Sequence, residues 1–257
     1  MAPVYLDNNA TTRPAPEVVE AMLPFLRESF GNPSSTHPLG QAARHAVENA
    51  RTAVAALINA RPQEVFFTSG GTEADNFAIL GVLAENPKKR HIVTTAVEHE
   101  AVLRLCQRLE TQGYRVTWLG VDRLGRLDPA EFEAALRDDT ALASVMHANN
   151  ETGVIFPVER LAQISAARGV PLHVDAVQTV GKIPLDVTAA PISLLSLSAH
   201  KLHGPKGAGA LYVRRRVRLR SLMMGGHQER DMRPGTENVA AVAGFGRAAE
   251  LAMATMH

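Results

Sequence analysis

The chain reads as an α/β protein built on a mainly parallel, doubly wound sheet of seven strands. Two observations predict this. Short β-prone runs alternate with segments of helical periodicity from about residue 64 to residue 213. The runs at 141–146 and 192–197 are apolar on both faces, as strands covered by helices on each side must be. Strands are expected at 64–68, 91–95, 114–119, 141–147, 171–175, 193–198 and 208–213, with helices at 72–84, 99–111, 129–137 and 158–168 between most of them. Asp128-Pro129 marks one helix start, an acidic cap followed by proline at the first helical position. An irregular arm (1–14) and helical stretches at 15–27 and 40–59 come first, and a last helix is expected from 239 to 253. The expected organisation is therefore the arm followed by one large domain, 15–257.

The bulk numbers agree with a packed domain. Of 257 residues, 46% are hydrophobic and 21% charged, enough for a sizeable core. The net charge is +1, from 27 basic against 26 acidic residues, so no direct nucleic-acid contact and no membrane partner is expected. The one basic cluster, from Arg214 to Arg220, reads as a solvated segment after a strand. No apolar run is long enough to span a bilayer, and the N-terminus carries neither a basic leader nor an apolar signal core. A single cysteine excludes an internal disulfide framework and suits a reducing compartment, so a cytoplasmic location is expected.

The chemistry gathers where strands end. Lys201 lies in Ser198-Ala199-His200-Lys201-Leu202-His203-Gly204, directly after an apolar strand. A lysine placed there can form an imine with pyridoxal phosphate, which then acts as an electron sink. Asp175 ends another strand, in His173-Val174-Asp175-Ala176-Val177-Gln178, where it could pair with a pyridinium nitrogen. An acid in that position is costly to bury without a cationic or donor partner. Ser69-Gly70-Gly71-Thr72 follows a third strand; two glycines let the backbone approach a phosphate, and Thr72 opens a helix whose free N–H groups favour an anion. His99 follows a fourth strand and Asn150 a fifth. In an open α/β sheet, ligands collect at these carboxyl ends. A dinucleotide-binding dehydrogenase fits poorly, because no Gly-x-Gly-x-x-Gly follows the first strand. His147 and His173 read as structural, and Cys106, in the helical stripe Val102, Leu105, Cys106, Leu109, as a core residue.

In this order, the residues resemble the cysteine desulfurases of the NifS/IscS type, within the class V, fold type I pyridoxal phosphate enzymes. The resemblance runs from Tyr5-Leu6-Asp7-Asn8-Asn9-Ala10-Thr11-Thr12 through Gly31-Asn32-Pro33-Ser34-Ser35 and Thr68-Ser69-Gly70-Gly71-Thr72-Glu73 to Arg233-Pro234-Gly235-Thr236-Glu237-Asn238. It implies the large domain of that fold and pyridoxal 5'-phosphate as cofactor. By resemblance, Lys201 carries the cofactor and moves a proton at the substrate Cα. Asp175 pairs with the ring nitrogen, and a carboxylate there keeps the ring protonated. Gln178 and Asn150 contact the ring oxygen and ring edge. His99 stacks on the ring face and is a candidate acid–base group. Gly71, Thr72, Ser198 and His200 form the phosphate cup. Thr236 reaches the phosphate from a neighbouring subunit, which implies a homodimer.

The implied reaction converts L-cysteine to L-alanine and transfers sulfur to an enzyme cysteine as a persulfide, for iron–sulfur clusters or tRNA thiolation. A scaffold or sulfur-acceptor protein is the implied partner. The family's acceptor cysteine and substrate-carboxylate arginine lie in a C-terminal part beyond the matched residues, so the C-terminal small domain is expected to be absent and the activity of this chain is left open. An aminotransferase, a selenocysteine lyase and a non-catalytic cofactor-binding or dimerising module are the alternatives.

Overall fold

The structure is a computed structural model describing residues 4–256. Residues 1–3 of the arm lie outside the described residues. One sheet contains β1 (Val65–Thr68), β2 (His91–Thr95), β3 (Arg115–Leu119), β4 (Thr140–Met146), β5 (Leu172–Asp175), β6 (Leu194–Ser198) and β7 (Gly209–Val213), in the order β1-β7-β6-β5-β4-β2-β3. The pairings among β2, β3, β4, β5 and β6 are all parallel. β7 runs antiparallel to both of its neighbours, β6 and β1. The connection over 199–208 is too short for a helical crossover, so β7 can only return beside β6 in the opposite sense.

All seven expected strands form, shifted by a residue or two. Glu64 belongs to a 3₁₀ turn (Pro62–Glu64) instead of a strand. β2, β4, β5 and β6 are buried along their whole length, which explains their lack of polar alternation. One face is covered by α3 (Gly71–Glu85) and α4 (Glu100–Thr111), which set Phe77, Ile79, Val82, Val102 and Leu105 against Ile92, Leu142, Leu194 and Leu211. The other face is covered by α2 (Pro38–Leu57), α5 (Pro129–Ala135), α6 (Val158–Ala167) and α7 (Val239–Thr255), with α1 (Pro16–Arg27) packed on α7. Alternate residues of one strand therefore belong to different cores: Ile92 and Leu142 to the first, Val93 and Ala143 to the second.

Helix boundaries follow cap chemistry. α2 starts at Pro38, two residues before the periodic pattern, because the His37 ring accepts the Gly40 N–H at 3.3 Å and proline is pre-set for the first helical position. α7 lies close against α2; a Cβ on Gly246 would sit 2.6 Å from the Ala50 Cα, so only glycine fits that crossing. Arg214 departs from the expected solvated cluster. Its guanidinium donates to the carbonyls of Ile192 (2.7 Å) and Ala190 (2.5 Å), tying the end of β7 to the entry of β6. Among the described residues, no helix is long and apolar enough to cross a membrane.

β1 lies at the edge of the sheet, and its free backbone groups are closed by charged side chains. Val65 accepts at its carbonyl from Arg51 (3.0 Å) and Arg230 (2.8 Å), and the Phe67 N–H donates to Glu229 (2.8 Å). Arg51 and Glu229 also pair with each other through two 2.7 Å contacts, with 3% and 2% of their side chains exposed. The Arg51 guanidinium lies over the Phe67 ring and that of Arg230 over Phe66. This removes an open edge that would otherwise template pairing with another chain. It also holds Glu229, Arg230 and Asp231 at φ of 47°, 58° and 67°, three successive left-handed residues that need such external support. Arg51→Met would leave Glu229 buried without its cation. The unfolding free energy in urea is expected to fall by about 3–5 kcal/mol. A fall below about 1 kcal/mol would show that the segment is held by something else.

Candidate functional site

The carboxyl ends of β1, β2, β4, β5 and β6 open on one cleft of about 170 Å³. Gly71, Thr72, His99, Asn150, Asp175, Gln178, Ser198, His200 and Lys201 all line it. Residues separated by up to 130 positions converge because the parallel register places Met146 beside Asp175 and Asp175 beside Ser196.

Lys201 ends a 3₁₀ turn (Ala199–Lys201) that follows β6 directly. Burial lowers its pKa, while the charges of Asp175 and Asp7 oppose that shift. Asp175 is only 7% exposed and accepts the Val177 N–H at 2.9 Å. Burial raises its pKa; the Val177 bond and the nearby His99 and Lys201 pull the other way. The Gln178 amide donates to the Asn9 carbonyl at 2.9 Å, and its oxygen accepts from Lys182 at 3.1 Å. The Asn150 side chain donates to Glu151 at 2.7 Å. His99 caps α4, accepting the Ala101 N–H at 3.2 Å, and its ring also borders the cleft. A cap and a ligand-facing ring are thus compatible in one histidine.

The arm is laid across the lysine turn. Thr12 donates to the His200 carbonyl through both its N–H and its hydroxyl, each at 2.9 Å, and its hydroxyl accepts the His203 N–H at 2.8 Å. The Asn9 carbonyl accepts from the Lys201 ammonium and from Gln178, while its amide donates to Asn150 at 3.2 Å. Asn9 and Ala10 are therefore part of the site, although nothing in the spacing of an irregular arm points to that. Thr236 does not line the cleft. It is exposed, on a hollow shared with Ser69, Gly207 and Arg233.

Two buried acids, one bordering the cleft and one behind it, escape the sequence pattern. Asp75 is 1% exposed and borders the cleft, with its Oδ1 unpartnered and 3.6 Å from His173 Nε2. Its only sequence signal is its spacing with Ile79 and Val82 on the buried face of α3. Burial, then the charge of Asp175, raises its pKa well above the usual range. His173 is fully buried between Ser144 (2.8 Å) and Ser196 (2.9 Å), and burial pushes its pKa down to about 3, so it is a neutral structural group. Glu98 accepts from the Thr95 hydroxyl (2.7 Å) and the Met146 N–H (3.0 Å), but its Oε2 has no partner. Cys106 is fully buried, and its pKa is pushed up to about 12, first by burial and then by the charge of Glu98.

The site fits an anionic aromatic ligand. Ser198 Oγ is buried without a partner. The wall at Gly71 tolerates no side chain, since a Cβ there would lie 2.7 Å from Val177 Cγ2. Asp175 offers a nearly dry carboxylate that a ring cation would neutralise.

Burial raises the Glu98 pKa to about 8, with Asp175 adding to the shift. Its folded form therefore holds a proton more tightly than the unfolded chain does. Stability conferred by that proton is present below the unfolded-state pKa and is lost as pH rises towards 8. Glu98→Gln should flatten this decline, by up to about 1.4 kcal/mol per pH unit between roughly pH 4.5 and 8. Urea midpoints across that range test it; parallel slopes in parent and variant would count against a buried, protonated Glu98.

Comparison with known proteins gives one answer. Residues 4–257 match the aminotransferase class-V family. A cysteine desulfurase of Trichormus azollae is 56% identical over 251 residues, covering 98% of this chain and 63% of the relative. Cysteine desulfurase NifS of Azotobacter vinelandii is 52% identical over 257 residues, covering 100% and 64%. The chain thus spans just under two thirds of the length of these relatives. Among solved structures, a NifS-like protein superposes with a TM-score of 0.96 at 44% identity, covering 98% of this chain and 70% of that one. A structure described as SspA in complex with cysteine gives 0.94 at 38% identity, covering 96% and 72%. With this sheet, this lysine turn and a match over nearly the whole chain, the protein belongs to the class-V aminotransferase family.

Proposed function

We propose that the chain is the cofactor-binding large domain of a pyridoxal-phosphate-dependent cysteine desulfurase that acts on L-cysteine. The observation that carries this is the convergence of Lys201, Asp175 and the Gly71–Ser198 cup on one cleft, in a chain 56% identical to a cysteine desulfurase. The cysteine in the SspA complex favours that amino acid as substrate. When bound, pyridoxal phosphate supplies an aldehyde that takes an amine and a protonated ring that withdraws electrons from the substrate Cα.

The chain's own groups suit that ligand. Lys201 has a lowered pKa through burial, which raises its uncharged, nucleophilic fraction and lets it hold or release a proton at the substrate Cα. Asp175 orients the ring and favours its protonated nitrogen. His99 would lie against the ring face, and Asn150 and Gln178 would hold the ring's edge and oxygen. Ser198, His200, Thr72 and the Gly71 backbone receive the phosphate. Thr236, exposed away from this cleft, is suited to reach the phosphate of a second copy, which makes the working unit a homodimer. The sulfur would pass to an acceptor protein for iron–sulfur clusters or tRNA thiolation, in the cytoplasm.

Cys106 is the chain's only cysteine, and its buried, un-ionised thiol is unsuited to accept sulfur.

Titrating the chain with pyridoxal phosphate should give the absorbance of a lysine-bound cofactor, and borohydride should fix it to the peptide containing Lys201. Lys201→Ala should abolish both; a surviving band would reassign the lysine. With L-cysteine added, mass spectrometry should find no persulfide on Cys106, and its appearance there would overturn the role of that thiol as mere core.

A further inference from the structure

Glu73 stands in the first turn of α3, the helix whose N-terminus forms the cup. A carboxylate there favours the helix dipole but puts a negative charge beside the place meant for a phosphate. The structure answers this conflict with a residue 160 positions away. Arg233 donates to Glu73 from Nε (2.8 Å, to Oε1) and from Nη2 (3.2 Å, to Oε2), with about a quarter of each side chain exposed. The same carboxylate accepts from Ser69, at its N–H (2.9 Å) and its hydroxyl, and so shapes the Ser69–Gly71 turn from behind. Burial works against the ionised Glu73, yet the bonds from Arg233 and Ser69 hold its pKa below the usual value, while the Glu73 bond raises that of Arg233. Both therefore stay charged. Arg233 is delivered by the segment that the Arg51–Glu229 pair locks onto β1, only four residues after Glu229.

We propose that Arg233 is a positioning residue for the phosphate cup. By pairing with Glu73 it cancels the repulsion between that carboxylate and a bound phosphate, while letting Glu73 keep the Ser69–Gly71 turn in its anion-binding shape. This rests on the cofactor assignment above, and it adds a phosphate-specific role for a side chain that does not border the cleft. It also makes cofactor affinity depend on the edge segment 228–233, the stretch that continues to Thr236.

The test compares dissociation constants of the full chain for pyridoxal phosphate and for pyridoxal, which lacks the phosphate. Arg233→Gln should weaken pyridoxal phosphate about tenfold and change pyridoxal by less than about twofold. Glu73→Gln should bind pyridoxal phosphate at least as tightly as the parent. The double variant should recover to within about twofold of the parent, because the repulsive charge is gone. Equal losses for both ligands in Arg233→Gln, weakened binding in Glu73→Gln, or no recovery in the double variant would each overturn the proposal. A parent that binds pyridoxal phosphate no better than pyridoxal would instead sink the phosphate cup itself, and this inference with it.

Discussion

A carboxylate buried at the carboxyl end of β5 is the constraint around which the rest of the site is arranged. Asp175 sits in a strand with no exposed residue, receives one backbone N–H, and shares its surroundings with two further buried acids, Asp75 and Glu98. Three carboxyls cannot all ionise in so dry a place. Burial raises the proton affinity of all three, but Asp175 is the one whose shift Lys201, His99 and the Val177 N–H oppose, whereas Asp75 and Glu98 each have an unpartnered oxygen. The strongest pull towards an ionised acid therefore falls on Asp175, the carboxylate whose charge acts most on Lys201. Neutral His173, held by two serines, adds hydrogen bonds behind it without adding charge.

The elements outside the sheet serve this floor. The arm fastens to the lysine turn through Thr12, so that the position of Lys201 depends on residues nearly two hundred places earlier. At the opposite edge, Arg51 and Glu229 close β1 and hold three left-handed residues in place. The segment they fix brings Arg233 to Glu73, the acid behind the glycine turn. Edge closure and cup geometry are thus one connected set of contacts. The same logic explains how a chain with almost no net charge can offer a site for an anion: local pairing, and not overall charge, sets the field at the helix N-terminus.

Family membership and cofactor chemistry do not require every reactive group to lie in this chain. The cleft is lined by Lys201, His99, Asp175, Gly71, Thr72 and Ser198. The chain's single thiol, Cys106, lies in the core cluster that α3 and α4 form against the sheet, un-ionised and enclosed. On the function proposed above, binding and activating a substrate amine and receiving its sulfur are separable tasks, and the described residues suit the first.

The alternation of apolar runs and helical periods was enough to place all seven strands and the helices, because strand and helix periods are properties of short stretches. The site residues at strand ends were equally legible, since polar side chains and glycines at those ends have few structural uses in a doubly wound sheet. What stayed hidden depends on contacts between distant segments. Glu98 stands beside His99 in a polar run, and Asp75 looks like an ordinary helix acid, until the fold shows both buried within reach of the Asp175 charge. Arg214 reads as one of several solvated arginines, yet it ties two strands together. Sequence alone determined the fold class, the order of the elements and which polar residues gather at the strand ends. Only the tertiary structure decided the docking of the arm, the tie from Arg214 to the entry of β6 and the pairing of Arg233 with Glu73, because each depends on a through-space distance that local periodicity does not encode.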